Sequence, residues 1–381
     1  MKRQLTVALG LMVLATPVMA SKARLEALGE DNFGSYFIND NRNQFLNPAQ
    51  INNHKDLVTF EFGSTGDGTN GADTVKTPKA IGGVNKAYGN MVYGLYFGDA
   101  TPSSSVVRSQ VGPAANLQEQ NPIDLFVGGD AGIKWGANVT YDAYDGGSGT
   151  SRLVTNALRV RGGAIMGDTQ AHAQVSIKGD AKNYQGQEVE GKSSYFAGVA
   201  HALNSTTYFA DYKSIGAEIN NGAQPKYDWD FTEARLGAGR VERLNDKANM
   251  FAKIHVGRRT IENNQADVES YVLPINIGLE TEATSWLTLR ASIGHNVWSK
   301  TETDPKAGGK SSVHVANTAV RAGATLKFGE LSIDGLIATS DVSDAPAPTT
   351  AAEANDASTN QGAGTLRTDN LMTRVAMTYR F

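Results

Sequence analysis

The sequence predicts an all-β protein, a transmembrane antiparallel up-and-down β-barrel of about 14 strands, within a range of roughly 12 to 16. Three observations lead to this fold. Apolar and polar residues alternate with a period of two after residue 55, the connections between alternating runs differ in length in a regular order, and residues 1–20 have the pattern of an export signal. Because lipid leaves no backbone N–H or C=O group a partner outside the protein, an alternating sheet crosses a bilayer only as a closed barrel.

The export signal sets the compartment and the domain boundaries. Lys2 and Arg3 precede an apolar run from Leu5 to Ala15, and small residues end at Ala20, so cleavage near Ala20 is expected. The run is too short for the roughly 20 residues of a transmembrane helix. We therefore expect a signal peptide at 1–20, an N-terminal segment at 21–55 that is either a periplasmic tail or a plug, and the barrel at 56–381.

Composition excludes several other classes of protein. The 381 residues include no Cys, which rules out disulfides, thiolate metal sites, a cysteine nucleophile and a lipoprotein anchor. The formal net charge is −4 and no basic block is interleaved with aromatic residues, so the chain does not look like a nucleic-acid binder.

Period-two alternation identifies the individual strands. In the clearest run, Ile133, Trp135, Val139 and Tyr141 share one face, and polar or small residues take the other. The predicted strands are 56–63, 89–98, 132–142, 153–166, 171–179, 193–202, 207–215, 229–242, 248–259, 270–281, 286–298, 316–328, 331–339 and 371–381. Aromatic residues of the outer face near strand ends (Tyr93, Phe97, Trp135, Tyr141, Trp286, Phe328 and Tyr379) are typical of the two interfacial girdles of a membrane barrel.

The connections alternate between short turns and long polar loops from residue 142 onward. Outer-membrane barrels have short periplasmic turns and long external loops, and the phase here places both termini on the periplasmic side. Residues 99–131 do not fit, because they should be a periplasmic turn but are more than thirty residues long. An extra hairpin, which would make sixteen strands, a short helix and a segment folded into the lumen remain open for them.

The end of the chain carries a family resemblance. Val375, Met377, Tyr379 and Phe381 share one face of the last predicted strand, and the chain ends on that phenylalanine. This strand resembles the assembly signal of Gram-negative outer-membrane β-barrels. The resemblance implies that the barrel-assembly machinery recognises the strand, and that the cell outer membrane, with its lipid and lipopolysaccharide, surrounds the protein.

The inner faces predict a water-filled bore. Sixteen or more strands leave an aqueous channel, and about fourteen come close to that size. Twelve Lys and Arg side chains, Lys178 among them, are predicted to face inward against six Asp and Glu, and such groups need water or ion pairs. Because rings of cations select anions, the excess favours small anions. The predicted pore-lining residues are Lys134, Arg159, Arg161, Arg235, Lys253, Arg290, Arg321 and Arg374.

The sequence has few features that indicate an enzyme. The six histidines share no tight spacing, and no nucleophile-elbow, metalloprotease or P-loop motif occurs. We expect no catalytic residue, no metal and no cofactor.

The predicted function is therefore an outer-membrane porin for passive diffusion of small hydrophilic solutes, with a preference for anions. Two alternatives remain open. One is a plugged substrate transporter in which 21–55 or 99–131 fills the bore, and the other is a surface adhesin or structural barrel that acts through its loops, with 340–370 as the candidate loop. A homo-oligomer is compatible with any of them, but no sequence feature indicates one.

Overall fold

The structure is a computed structural model that describes residues 21–31, 33–63, 79–99, 119, 121–149, 152–222, 225–314, 316, 318–339 and 374–381. The predicted adhesin loop 340–370 lies outside these residues. No helix among them is both long and apolar enough to cross a bilayer.

Strands dominate the described chain. In order they are β1 (Leu57–Gly63), β2 (Lys79–Tyr88), β3 (Met91–Phe97), β4 (Ile123–Asp130), β5 (Lys134–Gly146), β6 (Leu153–Met166), β7 (Thr169–Asn183), β8 (Glu188–Gly191), β9 (Ser194–Leu203), β10 (Thr206–Asn220), β11 (Tyr227–Asn245), β12 (Ala248–Glu262), β13 (Ala266–Thr284), β14 (Leu287–Pro305), β15 (Ser311–Val313), β16 (Thr318–Phe328), β17 (Leu331–Thr339) and β18 (Arg374–Arg380). Before them lie helices α1 (Lys22–Ala27) and α2 (Asn43–Leu46) and a 3₁₀ helix (Pro48–Asn53).

Sixteen of the strands pair antiparallel, each with its sequence neighbours, and form a closed barrel. β18 closes the ring against β1 in a register that runs from Leu57 opposite Arg380 to Gly63 opposite Arg374. The short strands β8 and β15 stand outside the ring, β8 against β7 and β10 and β15 against β14. The all-β barrel is confirmed, whereas the count of about 14 strands is wrong because two strands, β2 and β4, were missed.

Both missed strands have weak alternation for a physical reason. β2 contains Gly82 and Gly83, which contribute no side chain to either face. In β4, Ile123, Leu125 and Val127 face outward, but Phe126 faces inward and is 3% exposed, so the apolar residues run together. An inward aromatic residue is stable only where the bore holds an apolar partner for it. In a water-filled bore no inward aromatic residue is expected.

With β2 and β4 included, the strands define two ends of the barrel, although length does not separate all the described connections, because residues 263–265 form a short connection at the end opposite the other short turns. Short turns at residues 89–90, 131–133, 167–168, 204–205, 246–247, 285–286 and 329–330 define the short-turn end, and the other connections define the long-loop end. Gly167 and Asn204 take the left-handed conformation that such tight turns require, with φ of 56° and 57°. Residues 99–131 are thus not a single turn, because strand β4 lies within them.

The outer face of the barrel is apolar around its circumference. Phe60, Leu125, Val160, Ile254 and Ile293 are each between 41% and 56% exposed. All seven aromatic residues predicted for the girdles are exposed as well. Trp135 and Trp286 lie near the short-turn end, and Tyr141 lies nearer the long-loop end.

Candidate functional site: the occupied bore

The bore of the barrel is occupied by the N-terminal segment, residues 21–55. Ser21 caps α1 by accepting a hydrogen bond from the Arg24 amide at 3.1 Å. Asn47 caps the 3₁₀ helix in the same way by accepting from Ala49 N at 3.1 Å, and Pro48 occupies its first turn. Most side chains of the segment are buried although it holds only three short helical pieces, so the barrel wall buries them.

Three apolar clusters fix the segment to different sides of the wall. The first joins Phe45 and Ile51 to Val92, Tyr96 and Phe126 of β3 and β4, with the Phe45 ring edge-on to the Tyr96 and Phe126 rings at 5.2 Å. The second joins Leu25, Leu28 and Ile38 to Phe251 of β12. The third joins Ala23 and Ala27 to Leu336 of β17. Attachment on three sides holds the segment across the bore.

Glycines on the inner wall give the segment its seat. A Cβ atom added at any of them would overlap with or press against an atom of the N-terminal segment. At Gly136 it would overlap with the backbone of Pro48 and Ala49, at Gly128 with Ile51, and at Gly239 with Phe37. We call the full set the seat glycines: Gly94, Gly128, Gly136, Gly163, Gly198, Gly239, Gly278 and Gly323. They come from eight strands spread around the ring, and they let the backbone of the wall approach the segment closely.

A buried charge network links the segment to the wall. Arg24 contacts Asp40 at 3.0 Å and Glu280 at 2.9 Å, and Glu280 also contacts Arg290. Lys22 and Arg42 each contact Asp99 at 2.6 Å. The buried charge network comprises the cations Lys22, Arg24, Arg42 and Arg290 and the carboxylates Asp40, Glu61, Asp99, Glu280 and Asp334. Every member is at most 14% exposed, so breaking a pair leaves an uncompensated charge.

All eight predicted pore-lining residues lie on the inner face, where most have a partner. Lys134 donates to Asn53 Oδ1 at 2.6 Å, Lys253 contacts Glu30 at 2.9 Å, and Arg374 contacts Glu26 at 3.1 Å. Arg161 donates to the carbonyl oxygen of Phe45, and Arg159 contacts Glu119. Arg290 belongs to the buried charge network, Arg235 contacts Asp211 at 2.9 Å, and Arg321 faces inward on β16 opposite the buried Ser292. Four of them therefore contact the N-terminal segment directly.

The expected excess of inward cations is smaller in the structure. A bulge between Leu158 and Arg159 shifts the register of β7, so Lys178 turns outward and is 48% exposed. Asp124 belongs to the missed strand β4, and the loop residues Asp99 and Glu119 also carry buried carboxylates. The bore therefore holds a near-balance of charges while the segment is in place.

The inner wall also changes character toward the long-loop end. Ile215 and Ile219 of β10 and Trp229 and Phe231 of β11 continue the inner faces, and each is at most 4% exposed. The Trp229 and Phe231 rings stack at 6.1 Å. The bore thus has a charged middle and an apolar inner lining on this side, whereas the sequence predicted strongly charged inner faces.

A cavity lies between residues 30–46 of the segment and strands β6, β7 and β9 to β12. Four cationic side chains line it, Arg161, Lys213, Arg235 and Lys253, with two carboxylates, Glu30 and Asp31. Aromatic rings form much of the rest. Tyr36 stacks on Phe209 at 5.1 Å and makes a 3.0 Å hydrogen bond with His172 Nε2. Rings beside paired cations suit a small solute that has a planar or apolar part and an anionic group.

The C-terminal residues have the alternation that the sequence predicts. Met377, Tyr379 and Phe381 are 38%, 46% and 56% exposed, while Ala376 and Thr378 are buried. Val375 shares the outer phase and pairs with Phe62 and Gly335. The residues are therefore presented on the outer surface of the strand that closes the ring.

No protein-family model matches this sequence, and no curated protein matches it. Similar solved structures include OmpT, an outer membrane protein of Vibrio cholerae, at 14% identity and a TM-score of 0.41, covering 71% of this chain and 95% of that one. They also include a Pseudomonas aeruginosa FadL homologue at 12% identity and a TM-score of 0.41, covering 95% and 98%. An anion-selective porin from Comamonas acidovorans is similar at 10% identity and a TM-score of 0.38, covering 71% and 96%.

These structures are Gram-negative outer-membrane β-barrels. At such identities and TM-scores the likeness does not extend to function, which has to be argued from the chain's own residues.

The sequence placed the wall residues on the inner face, and it left open whether residues 21–55 are a periplasmic tail or a plug. The segment has neither a period of two nor a long amphipathic helix, so periodicity does not locate it. The signal that could have found it is the recurrence of glycine at inward positions on many strands. In the structure, Gly94, Gly136, Gly278 and Gly323 each face the segment.

Proposed function

We propose that this chain is an outer-membrane channel for small hydrophilic solutes, closed by its own N-terminal segment, rather than a continuously open porin. The observation that carries the proposal is the fit between the segment and the seat glycines, because a wall built for an empty bore has no need of glycine at those positions. Passage of a solute then requires the segment to shift or leave.

Insertion in the outer membrane is supported by the outer surface. Exposed Leu, Ile, Val and aromatic side chains cover the outer face of the wall. Contact of these side chains with water is unfavourable, whereas contact with lipid tails is favourable. Export through cleavage near Ala20, recognition of Val375, Met377, Tyr379 and Phe381 by the barrel-assembly machinery, and contact with lipid and lipopolysaccharide belong to the same proposal. Formation of a homo-oligomer remains open within it.

Small anions are the solutes that the wall favours once the segment moves. Removal of the segment frees Lys134, Arg161, Lys253 and Arg374 from their contacts with it. Free wall cations attract anions at close range. We propose no enzymatic activity and no cofactor.

Recording from planar bilayers tests the proposal. The mature chain is expected to open rarely, whereas a chain lacking residues 21–55 is expected to give frequent and larger conductance steps and to speed swelling of sugar-loaded proteoliposomes. Electrophoretic mobility without heating shows that both chains are folded. Equal, stable openings of the full mature chain and the deleted chain would contradict the plug.

A further inference from the structure

The residue that would begin the mature chain lies enclosed in the bore. Ser21 is fully buried, and the amide nitrogen of Lys22 next to it donates to Glu61 Oε1 at 2.8 Å. The second oxygen, Glu61 Oε2, is buried and accepts no hydrogen bond from any described residue. The Arg42 guanidinium lies 3.6 Å from this oxygen, beyond hydrogen-bonding distance. A buried carboxylate oxygen without a donor therefore lies beside the start of the segment.

The ion pairs of the buried charge network fall into two sets, and the set that contains Glu61 is balanced, with Lys22 and Arg42 facing Asp99 and Glu61. Among the described residues the whole network contains five carboxylates and four cations, with all members largely removed from water. An unbalanced buried charge is costly. The extra carboxylate lies in the other set, around Arg24, where burial raises the pKa of Asp40 to about 7 although Arg24 pairs with it. One more positive charge with N–H donors beside Glu61 would give its second oxygen the hydrogen bond that it lacks.

We propose that removal of residues 1–20 supplies that charge, and that the new α-ammonium group of Ser21 pairs with Glu61 and locks the N-terminal segment in the bore. Hydrolysis of the Ala20–Ser21 peptide bond by a signal peptidase uses one water molecule and leaves a carboxylate on Ala20 and an amine on Ser21. The amine takes up a proton, because α-amino groups have pKa values near 7.7–8.0 and a neighbouring carboxylate favours the charged form. Before cleavage the same nitrogen is an uncharged amide.

This inference rests on the proposed function and on cleavage after Ala20, and it makes export and closure one event. A chain that retains its leader lacks the ammonium donor to Glu61 Oε2, so its segment is held less firmly. Closure is then completed only when the protein has reached the compartment where the leader is removed.

The test compares mature chains that differ only at the α-amine. A chain with Ser21 as its first residue, confirmed by mass spectrometry, is prepared with a free amine or with that amine enzymatically acetylated. The acetylated chain is expected to show an open fraction at least tenfold higher in bilayers. Glu61→Gln in the free chain is expected to open it as much, and acetylation of that variant is expected to add little, since both changes remove one interaction.

Glu242→Gln is the matched control, because Glu242 is 41% exposed, pairs with Arg240 and lies far from the segment in sequence. It is expected to leave the open fraction unchanged. An amine-reactive reagent supplies a second readout, since Ser21 should be modified slowly in the folded protein and rapidly after unfolding. If acetylation abolishes folding, faster modification of Ser21 in the folded Glu61→Gln chain decides the question.

The outcomes separate the two claims. Equal open fractions for free and acetylated chains, or modification of Ser21 at the same rate in folded and unfolded protein, would overturn the ion pair and leave the plug intact. A mature chain that begins elsewhere than Ser21 would also overturn the ion pair. If deletion of residues 21–55 changes nothing, the plug itself fails.

Discussion

Gly136 and Gly162 lie on neighbouring strands but face opposite sides of the wall. A Cβ atom at Gly136 would come 2.5 Å from the backbone nitrogen of Ala49 in the N-terminal segment, whereas a Cβ atom at Gly162 would meet nothing within 4 Å. Backbone cannot rotate away as a side chain does. The fit of the segment to the wall therefore depends on single seat glycines, since even the methyl group of alanine would not fit at Gly136.

Gly136→Ala is expected to raise the open fraction of the channel, because overpacking costs about 1–3 kcal/mol, or roughly 5- to 150-fold in the ratio of open to closed states. Gly162→Ala is the control and is expected to leave that ratio unchanged. Single-channel recordings of the two variants make the comparison. A closed Gly136→Ala channel with wild-type behaviour would mean that the segment does not rest on β5.

Single residues were predictable where a period of two governs them. Arg161 and Lys253 lie on the inner face as their strand phase predicts, and Trp135 and Tyr141 lie on the outer face. The partners of the inward residues were not predictable, since Phe45 and Glu30 belong to a segment without periodicity. Lys178 failed for another reason, because a bulge cannot be read from alternation alone.

At the scale of elements, β4 and the N-terminal segment explain each other. The strand was missed because Phe126 points into the bore, and it does so because Phe45 packs against it edge-on. A strand with regular alternation would have a polar residue in place of Phe126, and the first apolar cluster would then be weaker. Elements adapted to a buried partner lose the pattern by which strands are found, so their prediction needs the partner first.

The docking of the segment as a unit should depend on pH through His54. Burial lowers the pKa of His54 to about 3, and the nearby charges of Arg380 and Arg24 act in the same direction. The docked segment thus keeps His54 neutral, while a released segment binds a proton below about pH 6.5. The contribution of neutral His54 to the free energy of docking is therefore fully present above about pH 6.5 and is lost as the pH falls toward 3.

Between pH 8 and pH 5.5 we expect the His54 contribution to shift the open-to-closed ratio about tenfold toward open. Asp40 acts with the opposite sign, because its raised pKa favours docking as the pH falls below about 7. Comparison of wild type with His54→Gln in bilayers at both pH values isolates the histidine. The variant should be the more closed of the two at pH 5.5, and an identical pH profile would rule out His54 as the group responsible.

At the scale of the whole molecule, the apolar outer surface is the feature that most strongly indicates a lipid environment. Val139 lies on this surface between Trp135 and Tyr141 and pairs with Leu125 and Val160 of the adjacent strands. A cation at the middle of a lipid-facing band costs about 2–4 kcal/mol, and near the rim about 0–1 kcal/mol.

Val139→Lys is therefore expected to lower the free energy of unfolding from lipid vesicles by about 2–4 kcal/mol. Met166→Lys is the matched control, because Met166 is 61% exposed and lies at the end of β6 beside the turn at Gly167. Urea titrations in vesicles measure both. Equal small losses for the two variants would argue that lipid does not surround the wall.

The pairing of the first strand with the last has a consequence for biogenesis. β1 finds its second neighbour only when β18, the last strand that the structure describes, has been synthesised and exported. The N-terminal segment is tethered directly to β1, so it stands at the seam where the sheet joins itself. A curling sheet can wrap around a segment held there, and the segment need never thread through a finished mouth. The occupant of the bore would then be enclosed during assembly, like a core around which the wall is wound.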